Sequence, residues 1–370
     1  MNRKNYIEIE CCDELQRLVA EEKMLRHYAF QSVDFTRVAE AAECDYTDCI
    51  FMGCNIPEDM HRRVDANSFI FPSMPKPFML FPAKLYSAQT LYAGYNPRQA
   101  DTFLACYDSR VYAHYIAQGK QSSDIGETLA RSLHDHSVSD ALHDMLAKYD
   151  ERAVVAIMGG HSLSRTDEVY YTVAKTSKLL TEQGKLMVSG GGPGAMEATH
   201  LGAWMAGRTE EELQKAVEML ARAPKFENEG WLESAFEVME HYPRDEKYCS
   251  IGIPTWFYGH EPATPFASHI AKYFDNSIRE DGLLAIAKGG VIYSPGSAGT
   301  MQEVFQDAAQ NHYKTFGFAS PMVFLGREHW TRTMPVYPLL EQLQRDGRYK
   351  NLILSLADTA EEVASEILKL

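Results

Sequence analysis

Two short apolar runs in this 370-residue chain each stop on a glycine cluster and give way to a helical pattern. Lys185-Leu186-Met187-Val188-Ser189 enters Gly190-Gly191-Gly192, and Gly290-Val291-Ile292-Tyr293-Ser294 enters Pro295-Gly296-Ser297-Ala298-Gly299-Thr300. Helical spacing then predicts helices from Ala195 to Ala206 and from Thr300 to about His312. Strands that lead through tight turns into helices, and do so repeatedly, fit one architecture: a parallel sheet with crossover helices. The same texture begins at Ala153-Val154-Val155-Ala156-Ile157-Met158, which ends in Gly159-Gly160. A helix is expected from Glu168 to Gln183, stopped by Gly184. Further strands are expected at Ser250 to Pro254, Pro321 to Leu325 and Leu352 to Ala357, with a helix at Ser277 to Ala287.

Residues 151–370 therefore read as an α/β domain, a Rossmann-like parallel sheet with helices on both faces. The stretch from Glu210 to Tyr248 is long for a connection in such a domain. It predicts a helical insertion over 207–249, a lid or an oligomer contact. Residues 1–150 lack clear strand alternation, and no internal repeat stands out. An amphipathic pattern runs from Asp13 to about Ala42, and another from Asp101 to Asp150. Pro72, Pro75, Pro77 and Pro82 make the middle irregular. A mostly helical N-terminal domain is the expectation, and two domains suit the length.

A glycine cluster ahead of a helix has a direct use. Glycine lets the backbone approach a phosphate, and the helix start offers unpaired N–H groups with a partial positive charge. The same pattern also serves close packing with no ligand. Thr300 adds a hydroxyl. Gly159, Gly160, His161 and Ser162 should line the same sheet edge, with Ser162 a candidate donor. Neither turn fits the dinucleotide fingerprint, and no Walker Gly-Lys-Ser/Thr is present. The net charge of −15 disfavours long nucleic acid and anionic membranes as partners. Seven cysteines without a Cys-x-x-Cys, no leader-like start and no apolar span predict a cytoplasmic chain. No metal or cofactor is expected. His134, His136 and His143 match no ligand spacing and read as a solvated helix face; Cys44, Cys49 and Cys54 read as small buried side chains. Trp256, Phe257 and Tyr258 fit base stacking or packing equally well.

Four blocks carry a resemblance. Ser189 to Met196, Ile251-Gly252-Ile253-Pro254, Arg279, and Pro295-Gly296-x-x-Gly299-Thr300-x-x-Glu303 resemble the Lonely Guy family of nucleoside 5′-monophosphate phosphoribohydrolases. They occur in family order between Ala153 and Leu325. The run through Glu197, and Glu261-Pro262, look more like the larger bacterial purine/pyrimidine nucleotide 5′-monophosphate nucleosidases. The resemblance implies Arg279 and Glu303 as a catalytic pair, Glu303 as base and cation stabiliser and Arg279 as the positioning partner. It implies ligand contacts at Gly190, Gly191, Gly192, Met196, Gly296, Ser297, Ala298, Gly299 and Thr300. The implied reaction releases a free base and ribose 5-phosphate without a cofactor. A homodimer or larger homo-oligomer is implied as well. Ser297 stands where the family pattern has its second glycine. That departure, with the large N-terminal domain, keeps a rival in view: a non-catalytic nucleotide sensor using the same cleft. Nothing in the sequence argues for a pyridoxal lysine, which speaks against a decarboxylase, although Lys272 and Lys288 are not excluded by sequence alone.

Overall fold

The computed structural model describes residues 6–369. The chain runs β1 (Ile7–Ile9), α1 (Cys12–Glu21), β2 (Met24–Arg26), β3 (Tyr28–Gln31), β4 (Asp45–Thr47), β5 (Ile50–Met52), β6 (Phe69–Phe71), α2 (Ala88–Leu91), α3 (Tyr107–Ala117) and α4 (Ile125–Leu146) before the large sheet begins. It forms two compact units, residues 6–85 with 118–143, and residues 86–117 with 144–369.

The first unit is less helical than expected. Its strands pair in parallel in the order β1-β3-β5-β6, with β2 beside β4. The register repeats at an offset of 21 residues: Ile7 faces Tyr28, Ala29 faces Ile50 and Met24 faces Asp45. The corners repeat too. His27 and Asp48 both take positive φ (70° and 53°), as do Ser32 and Gly53 (54° and 64°). Phe30 stacks on Phe51 at 5.1 Å in the core of this coil, with Phe35 and Tyr46 edge-on to Phe30. Cys44 and Cys49 are buried there and Cys54 is half-buried. The expected helix to Ala42 ends at Glu21, because Met24–Arg26 turns into the first rung. On α4, His134 and Asp135 are buried and paired (2.8 Å), contrary to a fully solvated face; His136 and His143 are exposed.

The second unit holds β7 (Val154–Met158), α5 (Glu168–Glu182), β8 (Leu186–Ser189), α6 (Ala195–Trp204), α7 (Glu210–Leu220), α8 (Trp231–His241), β9 (Ser250–Gly252), β10 (His269–Ile270), α9 (Asn276–Ile286), β11 (Gly290–Tyr293), α10 (Ala298–Tyr313), β12 (Pro321–Leu325), α11 (Val336–Arg345), β13 (Ile353–Ala357) and α12 (Ala360–Ile367). The seven strands are all parallel, in the order β10-β9-β8-β7-β11-β12-β13. Every residue of β7, β8, β11 and β12 is buried, as strands covered on both faces must be. The Rossmann-like α/β class read from the sequence is therefore what the chain forms. The chain leaves β7 for β8 on one side and returns to β11 on the other. That reversal opens a crevice beyond the C-terminal ends of β7 and β11, the place where open parallel sheets receive ligands.

Two buried ion pairs tie helices to this frame. Asp108 of α3 accepts from Lys272 Nζ (2.9 Å) and from Trp256 Nε1 (2.8 Å). Arg165, just before α5, donates to Glu197 of α6 through Nε (2.8 Å) and Nη2 (2.5 Å). Its remaining N–H groups hold the α7–α8 insertion through Leu220 O, Ala223 O, Ser234 Oγ and Trp231 O. Arg165→Met strands the Glu197 carboxylate in the core. It should lower stability by about 3–5 kcal/mol, read by denaturant unfolding, and raise amide exchange first in residues 207–249. The double variant Arg165→Met/Glu197→Gln should recover part of that loss.

Candidate functional site

Three strand ends meet at the crevice. Gly160 N donates to Pro295 O (3.2 Å) and Ala195 N to Gly160 O (3.1 Å), so the loop after β7 is stitched to both glycine turns. Close approach explains the glycines. A Cβ at Gly159 would collide with Ser294 Oγ, and one at Gly296 with Thr300 Oγ1. Gly194 combines φ +70° with a carbonyl of residue 160 in its Cβ position.

The two turns differ in exposure. Gly190, Gly191 and Gly192 are buried, whereas Ser297, Ala298 and Gly299 are exposed. What covers the first turn is side chain. A Cβ at Gly190 would strike Arg279 Nη2, and one at Gly192 would sit 2.9 Å from Met196 Cε and 3.7 Å from Glu261 Oε2. The first turn is thus surfaced by Arg279, Met196 and Glu261 rather than by bare backbone. The second turn presents the open helix start. Ser297 is the N-cap of α10, yet its hydroxyl caps nothing, which leaves the first N–H groups of the helix unspent. Its φ of −126° is one any residue adopts, so serine is unstrained where the resembling pattern has glycine. His161 and Ser162 are exposed beside this edge, and Thr300 is buried under Gly296.

Arg279 lies in the first turn of α9 and is 9% exposed. Nε donates to Ile253 O (3.0 Å) and Nη1 to Glu280 Oε1 (2.7 Å), leaving Nη2 against Gly190. Glu303 sits on the second turn of α10. Burial pushes its carboxyl up to about 7; the nearby Arg279 charge lowers it and Glu280 raises it again. Among the described residues Arg279 and Glu303 make no ion pair with each other, yet the guanidinium charge is felt at the carboxyl. One turn on, Asp307 accepts from Tyr293 Oη (2.7 Å), and burial pushes it up to about 7 as well.

Several neighbours escaped sequence reasoning. His329 lies beside the Gly296 backbone, its buried Nε2 without a hydrogen-bond partner among the described residues, and Trp330 Nε1 donates to Tyr293 O (3.1 Å), so one π-helical turn, His329–Thr333, packs behind the second glycine turn. His200 is fully buried under the first turn, bonded to Ser250 Oγ (3.0 Å) and pushed down to about 3 by burial, hence neutral. Nothing local marks either histidine; both contacts span many residues. Trp256 is core, stacked on Phe274 at 4.5 Å, and is not free to stack on a base. Lys272 is spent on Asp108 and Lys288 pairs with Glu151 (2.7 Å). No helix among the described residues is long and apolar enough to cross a membrane.

No protein-family description matches the sequence, and no curated protein matches it. Solved structures do. A molybdenum cofactor binding protein from Rippkaea orientalis is 14% identical over 58% of this chain and 95% of its own, with a TM-score of 0.37. TM1055, a structural-genomics target, is 20% identical over 59% and 99%, with a TM-score of 0.38. A Moco carrier protein from Chlamydomonas reinhardtii is 15% identical over 59% and 98%, with a TM-score of 0.35. At these identities and scores the likeness does not extend to ligand or chemistry.

The seating of Arg279 is testable. Gly190→Ala should push the guanidinium off the first turn and remove the charge that restrains Glu303. The Glu303 carboxyl, followed by carbon NMR titration, should then titrate above its wild-type value of about 7. An unchanged titration with a folded variant would place Arg279 elsewhere.

Proposed function

We propose that the chain hydrolyses the N-glycosidic bond of nucleoside 5′-monophosphates, giving the free base and ribose 5-phosphate. The observation that carries this reading is Glu303, an unpartnered carboxyl poised near neutrality at an open anion-binding edge, with the Arg279 charge felt at it. A phosphate fits the exposed start of α10, where the N–H groups of Ala298, Gly299 and Thr300 and the helix dipole favour an anion. A ribose held there lies over the next turn of the helix, which is Glu303.

The chemistry follows from that placement. As the C1′–N bond lengthens, positive charge develops on the ribose, and an adjacent carboxylate stabilises it. The water oxygen bonds to C1′; its proton passes to Glu303 and on to the departing base nitrogen. A base works best with a pKa near the working pH, which burial of Glu303 supplies. Arg279 Nη2 offers a fixed donor to the substrate and balances the two carboxylates around it. No cofactor enters this scheme. The resemblance of the motifs to the Lonely Guy family supports it, and extends the proposal to a homodimer or larger assembly.

Incubation with a panel of monophosphates should release base and ribose 5-phosphate. Glu303→Gln should lower kcat by about 10²–10⁴-fold with binding retained. Activity needs the ionised carboxylate, and its pKa is raised, so the rate should climb as pH rises through about 7 rather than through the ordinary carboxylate range. A nucleotide bound tightly by calorimetry, with no base released from any monophosphate, would instead identify a sensor.

A further inference from the structure

A cavity of about 800 Å³ lies in the second unit, and neither Arg279, Glu303 nor any glycine of the two turns lines it. Its walls are the turn Ala100–Ala105 with α3, the loop 226–230 with the start of α8, and residues 259–262. The volume falls in the range of small-molecule sites. Phe103, Tyr112, Phe226 and Trp231 give it aromatic walls. Leu104 is 77% exposed and Ile116 is 45% exposed, so the rim keeps apolar side chains in water.

The charges in the lining are one-sided. It contains Asp108, Glu229, Glu233 and His260, and no lysine or arginine. Asp108 is neutralised by Lys272 and bonded to Trp256. Glu229 and Glu233 take no hydrogen bond or ion pair among the described residues; Glu233 makes itself felt on Tyr95, whose hydroxyl is pushed up by burial and by that carboxylate. The formal charges of the lining carboxylates repel a phosphate or carboxylate ligand, while aromatic faces and free carboxylates both favour a cation.

We infer that this cavity is a second small-molecule site, for a planar aromatic body carrying a positive charge. Its ligand lies against elements that hold the first glycine turn. Trp231 carries the Arg165 guanidinium 4.7 Å above its ring, and Arg165 holds Glu197 at the start of α6. Gly259, His260 and Pro262 flank Glu261, the side chain over Gly192.

The test uses the full chain and two dyes: cationic proflavine and anionic anilinonaphthalene sulfonate. Proflavine should bind, the anionic dye at least about tenfold more weakly, and the double variant Glu229→Gln/Glu233→Gln should erase the preference. Ala113→Trp, a substitution at an exposed position of the wall, should weaken proflavine by about tenfold or more without shifting the melting temperature. Excess adenosine monophosphate should not displace the dye. Equal binding of both dyes, displacement by the nucleotide, or an Ala113→Trp variant that binds proflavine like wild type would overturn the assignment. So would an absence of dye binding with loss of an oligomer in Ala113→Trp, which would make the cavity a contact between copies. None of these readouts depends on catalytic turnover.

Discussion

The elements around the crevice hang from one buried guanidinium. Arg165 reaches Glu197 at the start of α6 and four acceptors in the α7–α8 insertion, and Tyr170 Oη completes the shell by donating to Glu197 Oε2 (2.8 Å). Burying such a pair contributes little net stability, because desolvating two charges offsets their attraction. What it supplies is uniqueness. Each nitrogen of Arg165 donates to a protein oxygen, so a shifted insertion would leave buried donors unpaired at about 1–3 kcal/mol apiece. A shifted 207–249 segment is therefore disfavoured, and the seated one is tied through Arg165 to the helix leaving the first glycine turn.

From there the electrostatics of the crevice follow. Arg279 is held by Ile253 O and Glu280, which neutralises part of its field. Glu303 is consequently under-compensated: burial raises its carboxyl, one guanidinium restrains it, and Glu280 works against that restraint. Had Glu280 been absent, the Glu303 carboxyl would sit lower, with burial still holding it up. The second carboxylate is thus part of what tunes the first. Asp307, fully buried and bonded to Tyr293, keeps a further near-neutral carboxyl one turn deeper and anchors α10 to β11.

The parallel sheet was legible because its strands are buried on both faces and so appear as unbroken apolar runs such as Val154–Met158. The glycine turns were legible as clusters, and close approach admits no side chain at Gly159, Gly190, Gly194 and Gly296. The rungs of the first unit were not. Strands of three or four residues are too short for alternation to register, and the 21-residue repeat shows in matched backbone corners, His27 with Asp48 and Ser32 with Gly53, rather than in matched residue types. Arg165 with Glu197, His329 with Gly296, and the near-neutral pKa of Glu303 all arise from pairs brought together only by folding. Glu197 stood inside a recognisable motif, but its partner 32 residues earlier carried no local sign. Ser297 stands where the resembling pattern has glycine, and only folding shows that its φ is one any residue adopts.

The two glycine turns look alike as sequence and do opposite physical work. In the first, the missing side chains are replaced by protein: Arg279 and Met196 lie where Cβ atoms would have been, and the backbone is sealed. In the second, the turn stays open and its N–H groups face outward past an N-cap that does not cap. A site with two open anion-binding turns would hold two phosphates or one diphosphate. Here one turn offers backbone N–H groups, and the other offers a guanidinium and a thioether. That asymmetry is set by which turn buries its glycines.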